Sequence, residues 1–155
     1  PLFNAALFFL TNEIRVKKGK DALQYSSICE IAAYHHSKSM VENDFFSHTD
    51  KSNKKRRNPS DRGKLAGGIN PSFAENIAYN YPGHSETYLE AAEAFIDQWM
   101  DSKGHRENIL SSQAKEFGCG VYPSGSALYA TQCFQWFSFL QKSNDARDKL
   151  PPEKS

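Results

Sequence analysis

Three short segments hold residue types that can bind a metal or move protons. They are Phe45-Phe46-Ser47-His48-Thr49, Ala74-Glu75-Asn76-Ile77-Ala78 and Gly104-His105-Arg106-Glu107-Asn108-Ile109-Leu110. His48 and His105 offer imidazoles, which titrate near neutrality and ligate divalent metals; Glu75 offers a carboxylate. Together they could supply three ligands of a zinc site and leave a fourth position open. Such a site lowers the pKa of a bound water to ~7, enough to drive hydrolysis. Two features oppose that reading. The histidines lack the short helical spacing of a His-Glu-x-x-His motif, and no serine or cysteine stands out beside a base. The plainer alternative is that Glu75 holds a cavity together, since a buried carboxylate must accept hydrogen bonds. The three groups lie far apart in sequence, so a folded domain has to assemble them.

At 155 residues, the chain is long enough for one domain with a single buried core. Its charge is nearly balanced, 19 basic against 18 acidic residues, which argues against nucleic acid as a general partner. The local exception is Lys51-Ser52-Asn53-Lys54-Lys55-Arg56-Arg57, read as a solvated loop or as a contact for an anionic surface. No stretch approaches the ~20 apolar residues of a membrane span. The start, Pro1-Leu2-Phe3, has no initiator Met, so a missing leader or lipid anchor carries no information. Cys29, Cys119 and Cys133 are an odd set and make no disulfide framework.

The elements that must position the site follow from periodicity. Leu2, Ala5, Ala6, Phe9 and Leu10 predict a helix over residues 2–16, stopped by Gly19. A second helix is expected over 23–42, with Asp21 as a possible cap and an inner stripe of Cys29, Ala33, His36 and Met40. His36 reads as a core or edge histidine bonded to backbone, with ligation the alternative. Residues 43–69 form a long polar loop holding a short helix over 59–65, with Asn58 as cap and Pro59 at its first position. Ser85 and Glu86 open a helix to about residue 102, whose apolar face is Leu89, Ala92, Phe95, Ile96 and Trp99. Lys103-Gly104 ends it, which would leave His105 just past a helix C-terminus. Residues 117–122 and 128–137 predict a hairpin turning at Pro123-Ser124-Gly125-Ser126. Cys119 and Cys133 share parity about that turn, an arrangement open to a disulfide. The domain spans residues 1–140, and the charged tail, 141–155, is expected to be disordered. These elements form an α+β domain with a small antiparallel sheet.

The order of motifs resembles the CAP superfamily (cysteine-rich secretory proteins, antigen 5 and pathogenesis-related 1), in its bacterial SCP-domain branch. The likeness rests on Asn12 and Arg15 in the first helix, Ala32-Ala33-Tyr34-His35-His36-Ser37, and the three segments above. Trp99-Met100-Asp101-Ser102 and Phe117-Gly118-Cys119-Gly120-Val121 complete it. It covers roughly residues 4–137. The resemblance implies a three-layer α-β-α sandwich with an open cavity lined by two histidines and two acids. His48 and His105 match the histidines, and Glu75 the first acid, although Ala74 stands where Gly is usual. Where relatives carry the second acid this chain has Asp101-Ser102, so Asp101 either substitutes with a shorter arm or the acid is absent.

The resemblance further implies a secreted or surface-attached protein that binds a small hydrophobic, lipid- or sterol-like ligand or a host partner without catalysis. Its cavity would take a divalent metal, zinc, on His48 and His105, with Glu75 orienting them. A zinc-dependent peptidase or esterase is the alternative. Aromatic residues in the loops around Phe73 and Tyr81 could line an apolar groove, and Lys54 to Arg57 could contact a protein partner.

Overall fold

A computed structural model describes residues 2–69, 72–83 and 86–136; the C-terminal tail lies outside them. Ten elements follow in chain order: α1 (Leu2–Lys17), β1 (Gln24–Tyr25), α2 (Ser27–Glu42), a 3-10 turn (Lys54–Arg56), α3 (Pro59–Leu65), β2 (Phe73–Asn80), α4 (Tyr88–Met100), α5 (Lys103–Ile109), β3 (Glu116–Ser124) and β4 (Ala127–Gln135). The four strands form one sheet in the order β1-β3-β4-β2. β2–β4 and β3–β4 are antiparallel, but β1 pairs parallel with β3, so the sheet is mixed. Helices α1 and α4 cover one face and α2 with α3 the other, which yields the expected α-β-α layering.

Strand alternation divides the core in two. Phe117, Cys119, Ala130 and Phe134 face α1 and α4, where Leu7, Leu10, Phe95, Ile96 and Trp99 complete the larger cluster. Phe8, Phe117 and Phe134 stack in series with centroids 4.6 and 5.4 Å apart. The opposite face of β3 is Gly118 and Gly120. A methyl group at Gly118 would strike the backbone of Glu30, and one at Gly120 the backbone of Tyr34. α2 therefore lies directly on β3. On this side the smaller cluster holds Cys29, Ala32, Ala33 and Cys133.

Several sequence expectations need correction. α2 begins at Ser27 with Ser26 as its cap, because Gln24 and Tyr25 are drawn into the sheet edge as β1. Residues 73–80 form a strand that the sequence reading did not assign. Cys119 and Cys133 do not face each other: the two-residue turn pairs residues of opposite parity, so Cys119 lies across from Gln132. The two thiols sit on opposite faces of the sheet, and all three cysteines are free and buried.

Candidate functional site

β2 brings two consecutive polar residues into the sheet, and pleating sends them to opposite faces. Glu75 pairs across with Cys133 and turns toward α2 and α3. Asn76 pairs with Gln132 and turns toward α1 and α5. Each then meets partners that only this fold supplies.

On the first face, the Glu75 side chain is 3 % exposed. Its Oε2 accepts from Arg62 Nη2 at 2.7 Å, and its Oε1 accepts from His48 Nδ1 at 2.8 Å. His36 Nε2 lies 3.6 Å from Oε1 and donates to the carbonyl of Ser47 at 2.8 Å. Arg62 itself holds the loop that carries His48, donating to the carbonyls of His48 (3.0 Å), Arg56 (2.9 Å) and Arg57 (3.1 Å). Burial pushes the Glu75 carboxyl up, but the His48 hydrogen bond and the charge of Arg62 outweigh it and hold the group ionised below its usual range. Burial dominates at His36 and keeps its imidazole neutral, despite the attraction of Glu75.

The second face is the scaffold. Asn76 Nδ2 donates to the His105 carbonyl and to Gln132 Oε1, each at 3.1 Å, and its Oδ1 accepts from Asn108 Nδ2 at 2.9 Å. Gln132 continues to Thr11 Oγ1 at 2.8 Å, and Thr11 donates to the Leu7 carbonyl at 2.7 Å. Asn108 also reaches the Glu75 carbonyl at 3.2 Å, and Trp99 Nε1 the Ile77 carbonyl at 3.1 Å. A buried polar chain thus fixes α5, and with it His105, against β2 and α1.

His48 and Glu75 meet as direct partners. Half of the His48 side chain is exposed, and its Nδ1–H donation to Glu75 leaves Nε2 facing outward as an acceptor or ligand atom. His105 lies close enough for His48 to add to burial in lowering its pKa. It sits inside α5, not beyond a helix C-terminus: Ser102 restarts the helix, and Gly104 is its second residue. Asp101 is exposed at the C-cap of α4, and no hydrogen bond joins it to His48, Glu75 or His105. Two members of the network escaped the sequence reading, Arg62 and the Glu75 contact of His36. The available signal for Arg62 was Glu75 itself, since a buried carboxylate demands a cation, and Arg62 lies on a short helix in the adjacent loop.

This arrangement does not match a three-ligand zinc centre. Both oxygens of Glu75 are engaged, by His48 and Arg62, and among the described residues no group of three His, Cys, Asp or Glu side chains is placed to hold a metal ion. The chemistry that remains is a charge-compensated buried carboxylate with a fixed imidazole at its mouth.

The network should make the protein acid-sensitive in two stages. His36 is held below its ordinary value of 6.5, so the unfolded chain binds a proton there that the native state refuses. Stability is therefore present above that value and falls as the pH drops below it; His35 and His105, also lowered, add in the same direction. Glu75 is held below its ordinary value of 4.5, and its contribution is lost beneath that point. Thermal melts between about pH 8 and pH 3 should show a shallow decline followed by a steep one. A melting temperature flat down to about pH 5 would contradict the burial of His36.

The sequence profile of the Cysteine-rich secretory protein family, CAP, matches residues 8–138. The chain is 34% identical over 112 residues to the "Uncharacterized membrane protein YlbC" of Bacillus subtilis (strain 168), covering 72% of this chain and 29% of that protein. It is 31% identical over 117 residues to the "Uncharacterized protein YkwD" of the same organism, covering 76% of this chain and 41% of that one. Among solved structures, an extracellular protein containing a SCP domain from Bacillus anthracis str. Ames superposes with a TM-score of 0.71 at 29% identity, over 85% of this chain and 39% of the other. The chain thus spans less than half the length of each of these relatives. The α-β-α layering and the motif order are accounted for together, because the chain belongs to the cysteine-rich secretory protein (CAP) family.

Proposed function

We propose that this domain works outside the cell as a binding module for a small, elongated hydrophobic ligand, and that the Glu75 network is its framework. One observation carries the reading: an open groove of about 1330 Å³ runs between the start of α1, the outer side of α2, Pro82 and Gly83, the start of α4 and the end of the hairpin. Its walls include Phe3, Ile31, Tyr34, Tyr88, Val121 and Leu128. Drug-sized ligands occupy pockets of about 300–1,000 Å³ lined mainly by apolar and aromatic groups, so the groove has room for a long chain. Glu30, Asn4 and Thr87 place polar atoms along it to orient a ligand. The aromatic residues that line it are therefore Phe3, Tyr34 and Tyr88, not those around Phe73 and Tyr81. Phe73 packs into the smaller core cluster, and Tyr81 stands in an exposed ring cluster with Tyr79. An extracellular setting is supported by the SCP-domain relative from Bacillus anthracis, which is described as an extracellular protein.

The test is titration with a fluorescent long-chain acyl probe. Saturable binding is expected, weakened about tenfold by Tyr34→Lys combined with Tyr88→Lys, because charges on both walls forfeit apolar burial. Both residues are partly exposed, so the melting temperature should hold. Tyr81→Lys, outside the groove, should leave affinity unchanged. Absence of saturable binding, or equal loss in Tyr81→Lys, would refute the proposal.

A further inference from the structure

Four aromatic rings meet on the surface where β2 ends, β4 begins and the loop after α2 passes. Tyr79 on β2 lies directly across from Tyr129 on β4, so pleating sends both rings to the face that Glu75 also uses. The two rings stack with centroids 5.3 Å apart. Phe46 meets Tyr79 edge-on at 5.0 Å and reaches Tyr129 at 6.4 Å. Tyr81 stands at 89° to Tyr79, with centroids 6.4 Å apart. Despite these contacts, Phe46 is 46 % exposed, Tyr79 41 % and Tyr81 69 %. A single exposed ring is ordinary, but a contiguous exposed set marks a surface that contacts something.

The loop delivers one of these rings together with a charge. Asp44, just past the C-cap of α2, is the only described non-glycine residue with a positive φ, 52°. After this left-handed turn Phe45 packs against His36, with centroids 5.9 Å apart, and Phe46 lies on Tyr79. Asp44 is exposed and enters no ion pair among the described residues. Burial, then Tyr79, Tyr81 and Asp44, hold the Tyr129 phenol above its ordinary range, so these groups act on one another at close quarters. They offer π faces, phenol oxygens and one carboxylate, and no cationic side chain is among them.

We propose that Phe46, Tyr79, Tyr81 and Tyr129, with Asp44, form a binding site for a soluble quaternary ammonium cation of about the size of choline. Ring faces attract a cation that lies within about 6 Å of their centroids, and rings set near right angles let one cation approach several at once. Methyl groups on the nitrogen pack against the rings, and Asp44 supplies the opposite charge. The same carboxylate disfavours a phosphocholine headgroup, whose phosphate would meet a like charge there. The site shares no residue with the hydrophobic groove and does not rest on it. It also uses none of the partners of Glu75.

The experiment follows the ring protons of Tyr79, Tyr81 and Tyr129 by NMR while the folded protein is titrated with choline chloride. Sodium chloride at matched ionic strength is the control. Saturable shifts are expected, and the uncharged analogue in which carbon replaces the choline nitrogen should bind about tenfold more weakly. Asp44→Asn should weaken choline about fivefold without moving the melting temperature, because asparagine tolerates the same left-handed turn. Tyr81→Leu, at the most exposed ring, should weaken it about fivefold and leave titration of the groove with the acyl probe unchanged. Equal binding of the carbon analogue would overturn the proposal, since the patch would then be merely apolar. So would full choline affinity in both variants, or shifts that sodium chloride reproduces. Flotation on phosphatidylcholine vesicles that choline reverses would overturn the assignment to a soluble cation and give the rings to a lipid headgroup.

Discussion

Replacing Arg62 with methionine should destabilise the protein by about 3–5 kcal/mol, the range expected when one partner of a buried ion pair is removed. Methionine fills similar volume, so the loss measures the charge and its hydrogen bonds. Glu75 would keep one bond, from His48, and lose the cation that offsets its burial. The carbonyls of His48, Arg56 and Arg57 would lose a common donor, loosening the loop that presents His48. Without Arg62, its charge and hydrogen bond no longer lower the Glu75 pKa, so the stability that Glu75 loses in acid should shrink, while the decline set by the buried histidines below 6.5 remains. Adding Glu75→Gln should recover part of the loss, because the amide needs no cation; the double-mutant cycle gives the coupling. Arg62→Lys should rescue little, since a point charge cannot bridge a carboxylate and three carbonyls. Urea unfolding of the wild type, the two single variants and the double variant of the cycle, and Arg62→Lys measures all of this. A loss under about 1 kcal/mol for Arg62→Met would show the pair to be solvated instead of buried.

Gly120→Ala is the second large effect, expected at about 3 kcal/mol, the upper end of overpacking costs. The added methyl meets the backbone nitrogen and Cα of Tyr34 and the carbonyl carbon of Ala33. Backbone of a packed helix cannot rotate aside, so α2 must lift from β3. That lift also strains the bond from Ser37 Oγ to the Gly120 carbonyl, 2.9 Å, and the Ser37–Thr131 hydroxyl contact at 2.7 Å. For a domain of this size the melting temperature should fall by roughly 6–12 °C. Gly104→Ala is the control: nothing lies within 4 Å of its added methyl, so the change should be neutral or favourable by up to about 1 kcal/mol through helix propensity. Equal effects at the two positions would mean that α2 does not rest on the sheet as described.

Periodicity revealed α1, α4 and the hairpin, cap signals revealed α3, and the motifs singled out His48, Glu75 and His105, of which the fold joins His48 and Glu75 directly. β2 was hidden for a physical reason. Glu75 and Asn76 are consecutive, polar and both buried, so the strand lacks the apolar alternation that marks one. It is stable because Arg62 and Gln132, distant in sequence, meet one residue on each face. α5 was hidden by Gly104, a stop signal that here lies inside a second short helix restarted at Ser102. The cysteine pairing failed on turn geometry: Gly125, at a φ of 59°, makes a two-residue loop that opposes residues of unlike parity. Arg62 could be anticipated as a cation for Glu75, but its position could not, because it belongs to a polar stretch with no periodic signature.

The bonds from Asn108 to the Glu75 carbonyl and from Trp99 to the Ile77 carbonyl have one more effect. β2 ends the sheet on that side, and these two carbonyls point away from β4, where a further strand would dock. Both acceptors are occupied by side chains. The opposite end is β1, only two residues long. A short edge strand and occupied edge acceptors are both features that make a margin a poorer template for an added strand. At Glu75 and Ile77 an incoming strand would have to displace a side chain before it could pair with β2.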